Sequence, residues 1–576
     1  MMKAASVVRT TNSDIMAKTL EELGIGTIFG VSGGRILPLF QAINRRNGLR
    51  LIAARNEQGA AYMADGYARI TRNCGCCIST SGPGASNLLT GIAGAYYDSI
   101  PLIVITGQAA SDELGKGGIQ EGSGVNRSPD IMGIYRNVCK TSYRLKKGDD
   151  AESAIREAYR IATSGRPGPV HLDVPTDYFL LECEDSGNAG IEMDVLDEPI
   201  SDVPVAGDAI RRLIALLQEA KRPLLMAGQG VYAAGPTAVE RLRQVQEACG
   251  IPVCTSLGGR GIVDETHPLS LGMIGCYGQD VANQYLLERS DLIVGLGISL
   301  QYLTTLGWNE EIAKKLIHVD IDRRELGRNL TPRLFIHGSL TDVLQAMPEA
   351  RSRFAFEDPT GFIREQKSLH GYYPTYRVLE SRNDPNYLHP AKAYSLLTEY
   401  LDNDDAVILD SGENAYWGML SLKIRHPNRL FLNYGWGAMG YSLGAAVGIA
   451  SVLKGSGKAY SVCGDGGFMM NLQEISCAVQ YGLPCVWIVF NNKGYGTQMH
   501  WQRDIFNEEY VGTDMPDIDF VQLTNAMKIP AAKAVSETEF VEALLRAKRT
   551  DGPYLVELLV DPQAKPPQSL GSKLVK

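Results

Sequence analysis

Lys458–Asn492, KAYSVCGDGGFMMNLQEISCAVQYGLPCVWIVFNN, is the stretch on which the fold turns. Lys458–Cys463 is an apolar run of strand length, and Gly464-Asp465-Gly466-Gly467 follows at its carboxyl end. A helical segment, Asn471–Tyr481, leads into a second apolar strand, Cys485–Phe490, which ends in Asn491-Asn492. The 24 residues between Gly466 and Asn491 hold one helix plus one strand, so Asp465 and Asn492 are expected at adjacent strand ends. Both side chains offer oxygen, which suits Mg2+, a hard octahedral ion that keeps phosphate oxygens in its shell. Glycines 464, 466 and 467 let backbone N–H groups approach a diphosphate at a helix N-terminus. A plain strand–turn–helix accounts for Gly-Asp-Gly alone; the Asn-Asn pair at this interval weighs against that bland reading.

The same alternation continues outward. Near the start, Ser13 can cap a helix over Asp14–Leu23 that Gly24 closes, and a short strand from Thr27 runs into Ser32-Gly33-Gly34. Strand–helix pairs follow at Leu51–Ala54 with Glu57–Arg69 and at Cys76–Ser79 with Ala85–Tyr97, then a strand Leu102–Thr106, a helix Asp150–Thr163 and a strand Val170–Val174. Glu182–Asn188 reads as a linker. A second block has strands at Pro223–Ala227, Pro252–Thr255, Asp291–Leu296, Lys315–Asp320 and Leu334–His337. The polar stretch Glu365–Asn386 separates it from a third, with strands at Ala406–Leu409, Lys458–Cys463, Cys485–Phe490 and Tyr554–Leu559. Short apolar strands alternating with helices predict three doubly wound, parallel-sheet α/β domains, over 1–185, 200–355 and 380–576, with ligands at strand carboxyl ends.

Composition excludes several classes. The 576 residues are 44 % hydrophobic and 21 % charged, which argues against a disordered, collagen-like or disulfide-scaffold chain. A formal charge of −9 without a basic block gives no electrostatic footprint for nucleic acid. Pro101–Thr106 and Val486–Phe490, among the longest apolar runs, fall far short of the ~20 residues of a bilayer crossing. The opening MMKAASVVRTTNSD lacks a signal-peptide apolar core, and the odd number of cysteines, eleven, suggests reduced thiols. A cytoplasmic protein without membrane or nucleic-acid partners is expected. Cys74, Cys76 and Cys77 have no second Cys-x-x-Cys or His pair to complete a zinc tetrad, so core packing is the expected role.

Gly-Asp-Gly followed some two dozen residues later by Asn-Asn resembles the thiamine-diphosphate motif. Further stretches, in order, are similar to acetohydroxyacid (acetolactate) synthase catalytic subunits: IFGVSGGRILPL at 28–39, EQGAAYMADGYAR at 57–69, TSGPGASN at 80–87, DSIPLIVITGQ at 98–108, GRPGPVHLDVP at 165–175, GWGAMG at 435–440 and NNKGYGTQMHWQ at 491–502. The resemblance implies pyrimidine-binding, central and diphosphate-binding domains in that order. It implies that Glu57 hydrogen-bonds N1′ of the aminopyrimidine and promotes the tautomer whose nitrogen takes the thiazolium C2 proton. A carboxyl against the apolar wall of Ala60, Ala61, Met63 and Ala64 has its pKa raised, as that exchange requires. Without the downstream motif, Glu57 would read as a solvated acid in a first helical turn.

By the same resemblance, Gly437 gives backbone to the pyrimidine and Met439 props the cofactor in its folded shape, although Met439 alone would read as core filler. Gly464, Gly466, Gly467 and Asn492 hold the diphosphate; Asp465, Asn492 and the Gly494 carbonyl hold Mg2+. Gln120, in Ile119-Gln120-Glu121, joins Glu57 as a catalytic residue, since the sequence there is similar to the synthases' Phe-Gln-Glu. Gly33, Ile119, Lys140 and Trp501 are expected in the substrate pocket; a lone tryptophan would otherwise read as packing. The implied activity is decarboxylation of a 2-keto acid, pyruvate first, and carboligation of the two-carbon unit to a second carbonyl compound. A homodimer or homotetramer is implied, with Glu57 of one chain facing the diphosphate motif of another.

The chain departs from the synthases at several places. The segment between Glu121 and Lys140 is longer and carries GSGVNRSPD, Asn56 stands where they have His, Glu413-Asn414 replaces Gln-His, and Ile119 replaces Phe. A carboxylate at 413 beside a diphosphate needs a cation or must turn away. LGMIGCYG at 271–278 and HVDID at 318–322 look like the synthases' flavin scaffold, but GLGISLQYL at 295–303 lacks their Arg-Phe-Asp-Asp, which weighs against FAD. These departures leave two rivals open: a carboligase of specialised metabolism with another acceptor, and a decarboxylase that releases aldehyde. The eight histidines include no adjacent pair, which counts against the second. A catalytically silent scaffold is disfavoured by the joint presence of Glu57, Asp465 and Asn492. The acceptor and any regulatory subunit are not assigned.

Overall fold

The computed structural model describes residues 10–182, 191, 193–194, 203–370, 385–433, 435–453, 455 and 457–567. Most of both expected linkers, 183–188 and 371–384, lies outside the described residues, as do the domain limits 185, 200 and 380 and residues 1–9 of the opening segment.

The described residues form three six-stranded sheets, and every strand pairing in them is parallel. The first runs, in spatial order, Arg50–Ala53, Thr27–Gly30, Gly75–Ser79, Leu102–Gln108, Val170–Pro175, Thr141–Arg144. The second runs Leu334–His337, Leu316–Asp320, Leu292–Leu296, Pro223–Ala227, Val253–Thr255, Ser270–Met273. The third runs Leu430–Leu432, Ala406–Leu409, Ala459–Gly464, Cys485–Asn491, Tyr554–Leu559, Ala531–Ala534. Numbered by sequence within each sheet, the first and third share the order 2-1-3-4-6-5, whereas the central one is 3-2-1-4-5-6. Each has a point where the winding reverses, and ligands collect outside the strand carboxyl ends at such points. In the first sheet it lies between Thr27–Gly30 and Gly75–Ser79, and in the third between Ala406–Leu409 and Ala459–Gly464.

The chain divides into two compact units, Met1–Pro199 with Asn433–Leu453 and Asn471–Leu483, and Ile200–Leu432 with Lys454–Met470 and Pro484–Lys576. In the first, Ile28, Ile78, Ile103, Ile105 and Leu172 on the sheet bury against Met16, Leu20, Ile155 and Ile161 of the flanking helices. The helix Glu57–Thr71 is buried along most of its length and packs on Tyr441–Ala450. Backbone meets backbone there: a Cβ on Gly66 would lie 2.5 Å from the Ala445 carbonyl oxygen, and one on Gly448 would collide with that of Met63. A buried polar cluster ties the two helices: Tyr441 Oη and Arg69 Nε donate to Asp65 Oδ1 at 2.5 and 2.6 Å, and Arg69 Nη2 donates to Asp98 at 2.8 Å. The first helix is Asn12–Glu22, capped by Thr11 instead of Ser13, because Thr11 and Asp14 exchange hydrogen bonds in a capping box.

In the second unit the core of the central sheet includes Leu225, Val253, Val294, Ile317 and Ile336. A fully buried ion pair, Arg260–Glu265, spends its other donors and acceptors on backbone: Arg260 donates to the Met419 and Leu422 carbonyls at 3.1 and 2.6 Å, and Glu265 accepts from Ile424 N at 3.0 Å. Among the described residues no helix is long and apolar enough to cross a membrane. The ten described cysteines are buried and form no disulfide, and among the described residues no three His, Cys, Asp or Glu side chains are grouped as a metal site.

Candidate active site

The reversal point of the first sheet carries one set of residues. Glu57 begins its helix because Asn56 Oδ1 accepts from Gln58 N at 2.9 Å, a side-chain cap. The buried Glu474 carboxylate holds the approach from outside, accepting from Arg55 N at 3.1 Å and Asn56 N at 2.8 Å. Glu57 is itself buried; its Oε2 accepts from Asn87 Nδ2 at 3.0 Å, and its Oε1 lies 3.2 Å from where a Cβ on Gly84 would stand. A Cβ on Gly33 would lie 2.6 Å from Thr80 Cβ, and Thr80 Oγ1 is buried without a hydrogen-bond partner. Gln120 packs its Cβ 3.0 Å from the same point on Gly82, with both residues at positive φ, +60° and +59°. Gly33, Glu57 and Gln120, far apart in sequence, thus converge on the turn Thr80–Asn87. Ile119, beside Gln120, is 75 % exposed.

Lys140 is not brought to this turn. Its Nζ donates to the carbonyls of Ile161 and Ser164 at 2.5 and 2.8 Å, so the ammonium satisfies acceptors at the carboxyl end of the helix Ala151–Thr163, where positive charge is favoured. Gly437 and Met439 lie in the turn before Tyr441–Ala450; Gly437, at φ +72°, donates N–H to the Asn433 carbonyl at 3.1 Å, and Met439 is half-buried.

The second set lies at the reversal point of the third sheet. Ala459–Gly464 and Cys485–Asn491 are parallel neighbours with Gly464 opposite Phe490, so Asp465 and Asn492 each follow the end of an adjacent strand. Asp465 is buried, with Oδ1 accepting from Gly466 N at 2.7 Å and Oδ2 from Gly494 N at 3.0 Å. Burial pushes its carboxyl up to about 6, against the pull of the backbone N–H groups of Gly466, Gly494, Lys493 and Asn492. The two asparagines divide their work. Asn491 holds the turn, donating to the buried Glu557 at 2.9 Å and accepting from Lys493 N at 3.1 Å, while Asn492 Nδ2 lies 2.7 Å from the Cβ position of Gly496. Gly464 has open space on its Cβ side, and a Cβ on Gly467 would lie 3.4 Å from the Asp410 carboxyl at the end of the neighbouring strand.

Glu413 also points towards Gly496, where a Cβ would collide with its Oε2, and its Oε1 pairs with His500 Nδ1 at 2.6 Å. Burial raises the Glu413 carboxyl and His500 pulls it down. Trp501, next to His500 on the helix Gly496–Ile505, is 50 % exposed. Sequence reasoning missed Asn87, Thr80, Glu474 and His500. All four lay in quoted stretches or beside them, but only the fold shows which side chains they meet.

Comparison with known proteins identifies the family. Residues 10–126 match the thiamine pyrophosphate enzyme N-terminal TPP-binding domain, 210–347 the central domain and 410–558 the C-terminal TPP-binding domain. The chain is 33 % identical to the "Probable acetolactate synthase large subunit" of Methanocaldococcus jannaschii, over 98 % of this chain and 94 % of that one. It is 32 % identical to the acetolactate synthase of Mycobacterium bovis, over 96 % and 89 % of the two chains, and to the acetolactate synthase large subunit of Lactococcus lactis, over 96 % and 92 %. Three family matches in order along the chain and near full-length similarity have one explanation: the chain belongs to the thiamine pyrophosphate enzymes, in the acetolactate synthase family.

Proposed function

We propose that this chain decarboxylates a 2-keto acid, pyruvate first, and joins the two-carbon unit to a second carbonyl compound, as an acetolactate synthase. The observation that carries the reading is Asp465: a buried carboxylate held by backbone N–H donors, one strand end from Asn492. Burial disfavours its charged form, and a divalent cation would supply the missing positive charge. Mg2+ suits the place, because it takes one or two protein carboxylates and fills its octahedron with phosphate oxygens and water. Asp465, Asn492 and the Gly494 carbonyl would hold it, with Gly464, Gly466, Gly467 and Asn492 admitting the diphosphate.

When bound, thiamine diphosphate supplies a thiazolium carbon that accepts the electron pair left by departing CO2. The chain's own groups do the rest. Glu57 holds a proton at the pyrimidine, and Asn87 fixes Oε2 so that Oε1 stays on the Gly84 side. Gly437 and Met439 shape the pyrimidine seat. Gln120, Gly33, Ile119 and Trp501 form the substrate side; Lys140 supports it from a distance by holding the helix end behind its strand.

Two copies complete each site in this reading, Glu57 of one copy serving the Asp465 motif of another, in a homodimer or homotetramer. The domains run 1–185, 200–355 and 380–576. No flavin is assigned to the central domain: its strand-end glycines close on protein, with a Cβ on Gly230 lying 2.6 Å from Gly297 Cα and one on Gly259 lying 2.5 Å from the Ala227 oxygen. The visible spectrum of the purified protein is expected to lack flavin bands. Buried thiols without disulfides among the described cysteines support a reducing, cytoplasmic setting.

Product analysis with pyruvate, Mg2+ and thiamine diphosphate tests the proposal. Acetolactate is the expected product. Acetaldehyde in its place would favour the aldehyde-releasing decarboxylase, and turnover only after a different acceptor is added would favour the specialised carboligase.

A further inference from the structure

Gly122 is gripped by both of its peptide groups. Its N–H donates to Gln108 Oε1 at 2.9 Å, and its carbonyl accepts from Arg144 Nη2 at 3.0 Å. The two gripping side chains meet on one carboxylate: Gln108 Nε2 donates to both oxygens of Asp173 at 3.2 Å, and Arg144 Nε donates to Asp173 Oδ2 at 2.5 Å. Thr106 Oγ1 adds a hydrogen bond to Asp173 Oδ1 at 3.3 Å. Gln108 and Asp173 are buried, and the Arg144 side chain is 24 % exposed. The three residues come from neighbouring strands, with Arg144 directly opposite Asp173 in the register.

What this arrangement holds is a loop. Glu121, next to Gly122, accepts from Gly115 N at 2.7 Å and Gly117 N at 3.3 Å, folding the chain back on itself so that Ile119 and Gln120 stand at its outer turn. Gly115, Gly117, Gly118, Gly122 and Gly124 make this segment costly to order, because glycine loses the most backbone freedom. Its position therefore depends on a few anchors. Gly122 cannot be replaced by bulk, since a Cβ there would lie 2.5 Å from Ile131 Cγ1. Arg144 is suited to the anchor because its planar fork can reach a carboxylate and a carbonyl at once, whereas a lysine ammonium is a single point.

We propose that Arg144 is a positioning residue for the 2-keto acid: through Asp173 and Gly122 it sets the place of the Ile119-Gln120-Glu121 turn. The proposal rests on the reading of Gln120 as a substrate-side residue.

Arg144→Lys tests it in the full-length enzyme, because lysine retains the charge that the buried Asp173 needs. Backbone hydrogen exchange is followed by mass spectrometry over residues 113–130, together with steady-state kinetics on pyruvate. The expected result is faster exchange in that segment and a KM raised about tenfold, what the loss of one hydrogen bond produces, while kcat and the Kd for thiamine diphosphate stay at their original values. The double variant Arg144→Met with Asp173→Asn removes the charge pair together and is expected to show the same two effects. Unchanged exchange in both variants overturns the proposal. So does faster exchange with an unchanged KM. Gln120→Ala separates the two levels: if it raises KM while Arg144→Lys does not, only the anchor fails; if neither does, the reading of Gln120 fails with it.

Discussion

His500 Nδ1 lies 2.6 Å from Glu413 Oε1, and its Nε2 lies 3.1 Å from the carbonyl oxygen of Pro562. A carbonyl only accepts, so Nε2 carries a proton, and the Nδ1–Glu413 contact shares a second one. The carboxyl at 413, the departure from the synthases' glutamine, is therefore matched by a hydrogen-bonding partner on a helix that begins two residues after Gly494. His500 is buried and Glu413 largely so, with burial raising the Glu413 carboxyl against the pull of His500.

Removing one member strands the other. His500→Ala is expected to lower the unfolding free energy of the cofactor-free protein by about 2 kcal/mol, the cost of leaving a largely buried polar partner unsatisfied. Glu413→Gln with His500→Gln is expected to recover most of it. Denaturant unfolding of the three proteins checks this, and equal midpoints for the single variant and the original would contradict the pairing.

Glu57→Gln is expected to abolish exchange of the C2 proton of bound thiamine diphosphate with solvent deuterium, read by NMR after acid quench. Mg2+-dependent binding of the diphosphate is expected to survive, because the binding residues lie on another sheet. Asn87→Ala keeps the carboxyl but removes the hydrogen bond that orients it, and is expected to slow exchange about tenfold, one hydrogen bond's worth. Undiminished exchange in Glu57→Gln would remove Glu57 from the chemistry.

Asp465 gives a pH dependence with a definite sign. Burial holds its carboxyl at about 6, and Mg2+ takes the ionised form. Above that pH the ion binds without displacing a proton; below it, affinity is expected to fall about tenfold per pH unit. Without metal the linkage reverses: a carboxyl raised above its ordinary value stabilises the fold on the acid side, and that contribution is lost as the pH rises from about 4 to about 6. Mg2+ titrations by calorimetry at pH 5, 6, 7 and 8, in the presence of thiamine diphosphate, check the first statement. Asp465→Asn is expected to bind weakly at every pH, with the proton dependence gone.

Trp501 is half exposed and sits one residue beyond His500, so truncating it removes little packing. Trp501→Ala is expected to leave stability within about 1 kcal/mol of the original and to shift the ratio of acetolactate to acetaldehyde about tenfold, the scale of one lost apolar contact in a specificity pocket. Chromatography of products from pyruvate measures the ratio. An unchanged ratio with unchanged acceptor preference would make Trp501 a surface residue only.

Much of this was legible in the amino acids alone. Internal strands buried on both faces read as unbroken apolar runs, which is why Cys485–Phe490 and Leu102–Thr106 were placed within a residue or two of the observed Cys485–Asn491 and Leu102–Gln108. Four of the six edge strands, Thr141–Arg144, Ser270–Met273, Leu430–Leu432 and Ala531–Ala534, are absent from the sequence reading, because three or four residues at a sheet edge leave a weak pattern; Arg50–Ala53 and Leu334–His337, at the other edges, are in it. Glycine turns at fixed intervals marked the adjacent strand ends that Asp465 and Asn492 follow, since such turns act on a few consecutive residues. Tertiary structure alone decided which side chains meet across long separations: Asn87 with Glu57, His500 with Glu413, Lys140 with a helix end, Arg144 with Gly122 through Asp173. Such pairings depend on sheet order and register, and neither leaves a periodic trace in the chain.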